Sequence, residues 1–454
     1  MTIPETVKNY LNKRSSDKWK IEWEHKDGIE NVVVIPAISE FENIQKVIGS
    51  LSKNDEQILD KSLILFVINN LSSSSQEVIN DNKKSIKFLS NSIFNKSSDL
   101  HSETFINPNL KFGYVDASSR DNELDNKSGG VGLARKIGMD LALTVFDYTS
   151  NKKKIIISLD ADCMVENNYL SAIRHSFDEW DINAATIEFS HSLDSGSDAK
   201  RILCYEIFLR YYVIGLLFAK SHFAYHTIGS AFACDIDAYI KVGGMNTRQA
   251  AEDFYFLQKL AKVYPIYKIN STIVRPSARQ SWRVPFGTGK ALMEFENGRR
   301  QFLVYDPNVF IVLKEWNELF NSDYALNTEV LLHKAKDIHQ ELYYYLIQKD
   351  FPLKWRKILE NCSSERQLNY QRRNWFDAFN TLKLIHHLRD TVFQMQETVL
   401  ALSRMFDLLS YAFNEDHDIQ IEKNDIKKYL NALVKIENSF LNVFLAENKL
   451  LRAK

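Results

Sequence analysis

Four short acidic or cationic stretches have residue types and spacing suited to chemistry. The first is "IIISLDADCMVEN" (155–167), where a run of β-formers ends in Asp160-Ala161-Asp162. Two carboxylates one residue apart repel unless a cation or hydrogen bonds compensate. A strand's period of two would turn both toward one side. Mg²⁺ characteristically takes one or two carboxylates plus substrate phosphates. The competing reading is local: Asp160 caps a following helix and Asp162 is turn chemistry. The second stretch is "QAAED", ending in Glu252-Asp253. By residue type alone these are acids at a helix N-terminus, favourable with the dipole. The third is Arg135 in "GGVGLARKIGMDLAL", which by itself reads as a helix salt-bridge residue. The fourth, "RQSWRVPFGTGKAL" (279–292), carries three cations, an aromatic and a Gly-Thr-Gly turn. Arg279 and Arg283 offer forked donors that suit phosphate, or a loop pairing with surface acids.

Such groups need a frame. "NVVVIPA" (31–37), "LILFVINN" (63–70) and "KIIISLDAD" (154–162) are continuous apolar runs, as expected of strands buried on both faces of a mostly parallel sheet. Helical patterns lie between them, including "EFENIQKVIGSLSK" and a helix over 130–146 with Ala134, Ile137, Leu141 and Val145 on one face. Strand–helix–strand order predicts a doubly wound α/β sheet, with ligands outside the carboxyl ends of its strands. Asp81 to Lys127, rich in Asn, Ser, Lys and Asp, reads as a long irregular insertion. Residues 1–30 read as a polar extension whose Trp19 and Trp23 pack against the main body.

From about residue 305 the pattern is helical only. Leu331, Ala335, Ile338, Leu342 and Tyr345 keep a 3–4 spacing, as do Trp375, Phe379, Leu382 and Ile385. Val392, Met395, Val399, Leu402 and Phe406 follow. A last helix carries Ile426, Leu430, Leu433, Ile436 and Phe440 after the polar "NEDHD". The division predicted is an extension over 1–30, an α/β domain over 31–304 and an all-α domain over 305–454.

Composition bounds the partners. The 454-residue chain has a formal net charge of −1, which gives no footprint for nucleic acid. Its four cysteines are scattered without a Cys-x-x-Cys pair, against a disulfide framework or zinc site and consistent with a reducing compartment. The first residues lack the apolar core of a signal peptide, so a cytoplasmic protein is expected. "IFLRYYVIGLLFAK" (207–220) is apolar between Arg210 and Lys220. It falls short of the ~20 residues of a spanning helix and reads as a core or interface helix, with membrane-surface contact as the other reading.

Taken together, the motifs resemble the family 2-type glycosyltransferases of the GT-A fold. "VVVIPAISEFENIQKVIGSL" is similar to their opening strand, turn and first helix, and "LFVINNLSSSSQEV" to their second strand. "GGVGLARKIGMDLAL" resembles the Gly-rich turn and Ala-Arg helix, and "ISLDADCMVENNYL" the Asp-x-Asp strand. "TIGSAFACDIDAYIKVGGMNTRQAAEDFYFLQKL" resembles the acceptor-side segment. The five come in the family's order and span about residues 32 to 290.

The resemblance implies a Rossmann-like sheet that binds a nucleotide-diphosphate sugar, with a helical C-terminal region appended. It implies inverting transfer of one sugar to a hydroxyl acceptor with Mg²⁺ or Mn²⁺. Pro36 to Glu40 would line the base and ribose. Asn69 and Asn70 stand where the family commonly has an Asp contacting the base. Arg135 would approach base or diphosphate, Asp160 the ribose, and Asp162 the metal, with His226 as a further candidate ligand. Arg279 and Arg283 would contact the leaving phosphates. Asp253 would be the general base, oriented by Glu252. Gln280, Trp282 and Arg283 depart from the Gln-x-x-Arg-Trp signature of processive enzymes. Two other readings remain open: a retaining GT-A transferase that makes a small glycoside, and a catalytically silent GT-A domain that binds or assembles. Peripheral membrane contact and oligomerisation through the C-terminal helices are further expectations.

Overall fold

A computed structural model describes residues 3–24, 27–95, 107–191, 198–277, 303–413 and 426–452. These group into two compact units. The first is bounded by Met1–Asp194, Thr227–Leu260 and Tyr264–Lys290, and the second by Ser195–His226, Ala261–Val263 and Ala291–Lys454.

The first unit is built on a nine-stranded sheet. Its strands are β1 (Ile21–Trp23), β2 (Asn31–Ala37), β3 (Ser62–Asn69), β4 (Lys111–Ala117), β5 (Ile155–Ser158), β6 (Met164–Val165), β7 (Ala184–Phe189), β8 (Phe232–Asp235) and β9 (Tyr267–Arg275). Their order is β1-β4-β3-β2-β5-β8-β7-β9-β6. The block β4-β3-β2-β5 is parallel throughout, as the apolar runs predict. Beyond β5 the sheet is mixed: β8 runs antiparallel to β5 and β7, while β7 and β9 are parallel. Every residue of β2 and β3 is buried. Each Val, Leu or Ile so placed contributes about 1.5–3 kcal/mol relative to exposure.

Three expectations change. The stretch Asp81–Lys127 contains the greater part of a 15-residue helix, Gln76–Ser90, and strand β4. Its pattern was hidden because the helix's buried face is Val78, Asn82, Ser85 and Leu89, half of it polar. The helix expected over 130–146 is Val131–Ala142, shorter at both ends. It buries Gly132, Arg135, Gly138 and Asp140 as well as Ala134 and Ile137, while Leu141 and Val145 are only half-buried. It lies so close to the sheet that a Cβ on Gly138 would stand 2.4 Å from Val34. Finally, β5 stops at Ser158, so Asp160 and Asp162 sit in a turn closed by Cys163 N–H to the Asp160 carbonyl (3.1 Å). Strand alternation therefore does not aim the two carboxylates.

The N-terminal segment is integrated into this unit. β1 pairs with β4, Trp23 is buried, and Tyr10 on helix Glu5–Arg14 donates to Asp140 Oδ1 (2.8 Å), which also accepts from Tyr239 (2.6 Å).

The second unit is helical. Helices Asp198–Phe218, Pro307–Phe320, Thr328–Ile338, Gln340–Gln348, Phe351–Asn361, Glu365–Trp375, Ala378–Thr391, Thr398–Phe413 and Ile426–Arg452 enclose a core centred on Trp316, Phe320, Phe351 and Trp355. Two expected continuous patterns are broken: His339 is extended and caps Glu341 N–H through Nδ1, and Asp377 caps the helix that begins at Ala378. "NEDHD" lies outside the described residues. The apolar run 207–220 is a core element, with Ile207, Tyr211 and Ile214 fully buried. Arg210 is itself buried, its guanidinium held by Glu206 Oε1 and Glu437 Oε2, both at 2.9 Å. Among the described residues no helix is long and apolar enough to cross a membrane.

Candidate functional site

Strand order locates a crevice. The chain steps outward from β2 to β3 to β4 and then returns to place β5 on the other side of β2. The order reverses between β2 and β5, and ligands of open α/β sheets bind at the carboxyl ends of strands at such a point. Residues 38–40 leave β2 there, 70 leaves β3, and 159–162 leave β5.

Arg135 joins this edge to the Glu-Asp pair. It is 2% exposed, and its Nε donates to Glu252 Oε1 (3.0 Å), Nη1 to Ser158 Oγ (2.6 Å) and Nη2 to Asp160 Oδ1 (2.5 Å). Burial works against its charge, but the carboxylates of Asp160, Glu252 and Asp253 more than offset that and raise its pKa. Ser158 completes the clamp by donating to the Gly229 carbonyl (2.7 Å).

Close backbone approach makes the cluster possible. A Cβ on Gly132 would stand 2.2 Å from the Arg248 carbonyl and 2.9 Å from Glu252 Cβ. One on Gly229 would stand 2.5 Å from Arg135 Nη2 and 3.4 Å from Asp253 Oδ2. Glu252 opens helix Glu252–Ala261 directly after Ala251, whose φ of 56° is left-handed and costs a non-glycine residue about 1–2 kcal/mol. Asn246 Nδ2 ties the turn down by donating to the Glu252 carbonyl (2.7 Å).

Asp253 stands apart electrostatically. Burial, and then the neighbouring Glu252, push its pKa up to about 7, against the opposing pull of Arg135. Its Oδ1 accepts from Phe254 N–H (2.7 Å). A carboxyl that titrates near neutrality can accept a proton at working pH.

The other anticipated residues fall as follows. Pro36 is buried within β2. Glu40 is 7% exposed and accepts from Asn43 Nδ2 (2.6 Å). Asn69 donates to the Ala37 carbonyl (3.1 Å), and Asn70 to that of Leu71 (3.1 Å). One residue that sequence reasoning passed over joins all these loops. Asn82 donates to the Asn69 carbonyl and to Asn70 Oδ1, both at 2.9 Å, and accepts from Ser39 N–H (2.9 Å). Ser158, Gly229 and Asn246 were also missed. A serine ending an isoleucine run was the one signal available for the first.

Asp162 is half-buried beside Asp160 in the turn. His226 belongs to the second unit, with its Nε2 2.9 Å from Glu437 Oε1. Arg279 and Arg283 lie outside the described residues. No group of three or more His, Cys, Asp or Glu side chains is gathered as a metal set among the described residues. Asp162 and Asp160 present carboxylate oxygens, the donor chemistry that Mg²⁺ or Mn²⁺ takes together with substrate phosphates.

No family model and no curated protein matches the sequence. Solved structures do. Residues 1–349 of S. aureus TarS in complex with UDP-GlcNAc align over 90% of this chain and 92% of theirs, at 13% identity and a TM-score of 0.37. The mannosyltransferase PcManGT from Pyrobaculum calidifontis, in complex with GDP-Man and Mn²⁺, aligns over 98% and 93%, at 11% identity and a TM-score of 0.35. Both TM-scores lie below 0.5, so neither likeness carries a role or a ligand over to this chain. At such identity the side chains that select a substrate are free to differ.

Proposed function

We propose that this chain is a metal-dependent inverting glycosyltransferase that moves one sugar from a nucleotide-diphosphate sugar to a hydroxyl acceptor. One observation carries the reading. A buried Arg135 draws the Asp-Ala-Asp turn and the Glu-Asp pair into one cluster at the sheet's crevice, and Asp253 beside it has a pKa raised to about 7.

Each residue has a task. Asp253 takes the proton from the acceptor hydroxyl as that oxygen attacks the anomeric carbon. Glu252, fixed by Arg135, keeps Asp253 in a field of negative charge that raises its basicity. Arg135 and Ser158 hold the Asp160 turn in place, so that Asp160 faces the donor's ribose side and Asp162 its diphosphate. Pro36 and Glu40, with Asn69 and Asn70, form the wall on which the base rests. On the sequence resemblance alone, Arg279 and Arg283 would meet the departing phosphates. When bound at Asp162 and Asp160, Mg²⁺ or Mn²⁺ neutralises charge on the leaving nucleoside diphosphate.

The test uses purified full-length protein and a panel of UDP-, GDP- and dTDP-sugars with and without Mn²⁺. A binder raises apparent thermal stability. The expected result is a metal-dependent shift with one donor, slow donor hydrolysis, and a product of inverted anomeric configuration. A retained configuration would replace inversion by retention. Failure of every donor to bind or hydrolyse would sink the enzyme reading.

A further inference from the structure

The second unit contains a polar cavity of about 480 Å³ lined by Lys262, Val263, Glu365, Arg366, Asn369, Tyr370 and Arg373, within the range of small-molecule sites. Four of these lie on one face of helix Glu365–Trp375: Arg366, Asn369, Tyr370 and Arg373, at i, i+3, i+4 and i+7. We propose that this cavity is an anion-binding subsite for a phosphate- or carboxylate-bearing saccharide.

Charge is the first reason. Three cations face the cavity against one carboxylate. Lys262 is balanced by Asp377 Oδ2 at 2.8 Å. Neither Arg366 nor Arg373 forms an ion pair with a described residue. Arg373 is half-buried, and burial alone lowers its pKa, as for a guanidinium with no carboxylate beside it. The nearby ionisable ring, His222, is held neutral. Burial and the Arg373 charge push its pKa down to about 4 while its Nε2 stands 2.6 Å from the Ala261 carbonyl. A partly desolvated cation without a counter-ion is stabilised by any anion that reaches it, and an arginine fork suits phosphate and carboxylate.

Shape is the second reason. Tyr370 is 49% exposed between the two arginines and offers a flat apolar face to a pyranose ring. Asn369 is anchored by accepting from Arg372 Nη1 (2.8 Å), which leaves its amide NH₂ as a donor for a hydroxyl.

The saccharide identity rests on the glycosyltransferase reading, and the anion site rests on the cavity alone. Calorimetric titration at low salt compares glucose 6-phosphate, glucuronate, inorganic phosphate and glucose on the full chain and on an R366A/R373A variant. Glucose 6-phosphate or glucuronate should bind the wild type and lose at least tenfold in affinity in the variant, with glucose silent in both. The tighter of the two anions identifies phosphate or carboxylate. Y370A should weaken the sugar phosphate more than inorganic phosphate. The proposal is overturned if neither charged sugar binds, if the double variant binds them equally well, or if inorganic phosphate binds as tightly as glucose 6-phosphate. Absence of charged-sugar binding in wild-type protein that still takes up a nucleotide sugar ends this inference alone. Absence of donor binding ends the proposed function alone.

Discussion

Gly229 and Arg135 occupy space that only a glycine leaves open, since a Cβ at 229 would stand 2.5 Å from Arg135 Nη2. The guanidinium is buried and fixed by three side-chain partners, so stepping aside would break them. Gly229→Ala should therefore move Arg135 and, with it, the Asp160 turn. A misplacement of about 1 Å can cost on the order of 100-fold in rate. Steady-state kinetics should show a fall of about 10- to 100-fold in kcat, with the circular dichroism spectrum retained. Unchanged kcat would remove Arg135 from the site.

Asp253 predicts a pH profile. As a base it works only when ionised, so kcat/KM should rise with pH and level off above an apparent pKa near 7. The stability effect has the opposite sign. The folded state holds a proton that the unfolded chain has already lost between about pH 4 and 7, so this residue lowers stability as pH rises through that window. Asp253→Asn should abolish transfer at every pH and flatten the corresponding decline in Tm. A variant with an unaltered pH–rate profile would exclude Asp253 as the base.

Removing the arginine should cost stability as well as rate. Arg135→Met strands Glu252 and Asp160, and breaking one side of a buried ion pair costs about 3–5 kcal/mol. Urea denaturation should show a loss of that size. Pairing with Glu252→Gln should recover part of it, because one stranded charge is removed.

The two aspartates of the turn should separate by mutation. Asp160 already has one oxygen committed to Arg135, so Asp160→Asn should reduce stability and donor affinity together. Asp162→Asn should weaken Mn²⁺-dependent donor binding at least tenfold. Equal thermal shifts for wild type and Asp162→Asn, with and without Mn²⁺, would contradict its role as a ligand.

In the second unit, Glu437 accepts from Arg210 and stands 2.9 Å from His226. Glu437→Ala should destabilise the chain by about 3 kcal/mol. Hydrogen exchange should locate the loss in helix Ile426–Arg452 and helix Asp198–Phe218.

The sequence by itself determined the parallel strands expected over 31–37 and 63–70, the mainly helical region from about residue 305, and the acidic motifs on which a site could be built. Those signals are local: an unbroken β-branched run buries on both faces wherever it lies, and a 3–4 repeat makes an apolar stripe without outside help. Helix Gln76–Ser90 was not legible because half of its buried face is polar: Asn82, whose partners Ser39, Asn69 and Asn70 lie outside the helix, and Ser85, which donates back to the Asp81 carbonyl. Tertiary structure alone decided that Arg135 meets Glu252, 117 positions away, and that Asn82 stitches together the loops after β2 and β3. It also decided that Ser158 and Gly229 complete the clamp. A buried charge is tolerated only where opposite charges and hydrogen bonds converge on it, and that convergence is a property of the folded chain, not of any stretch of its sequence.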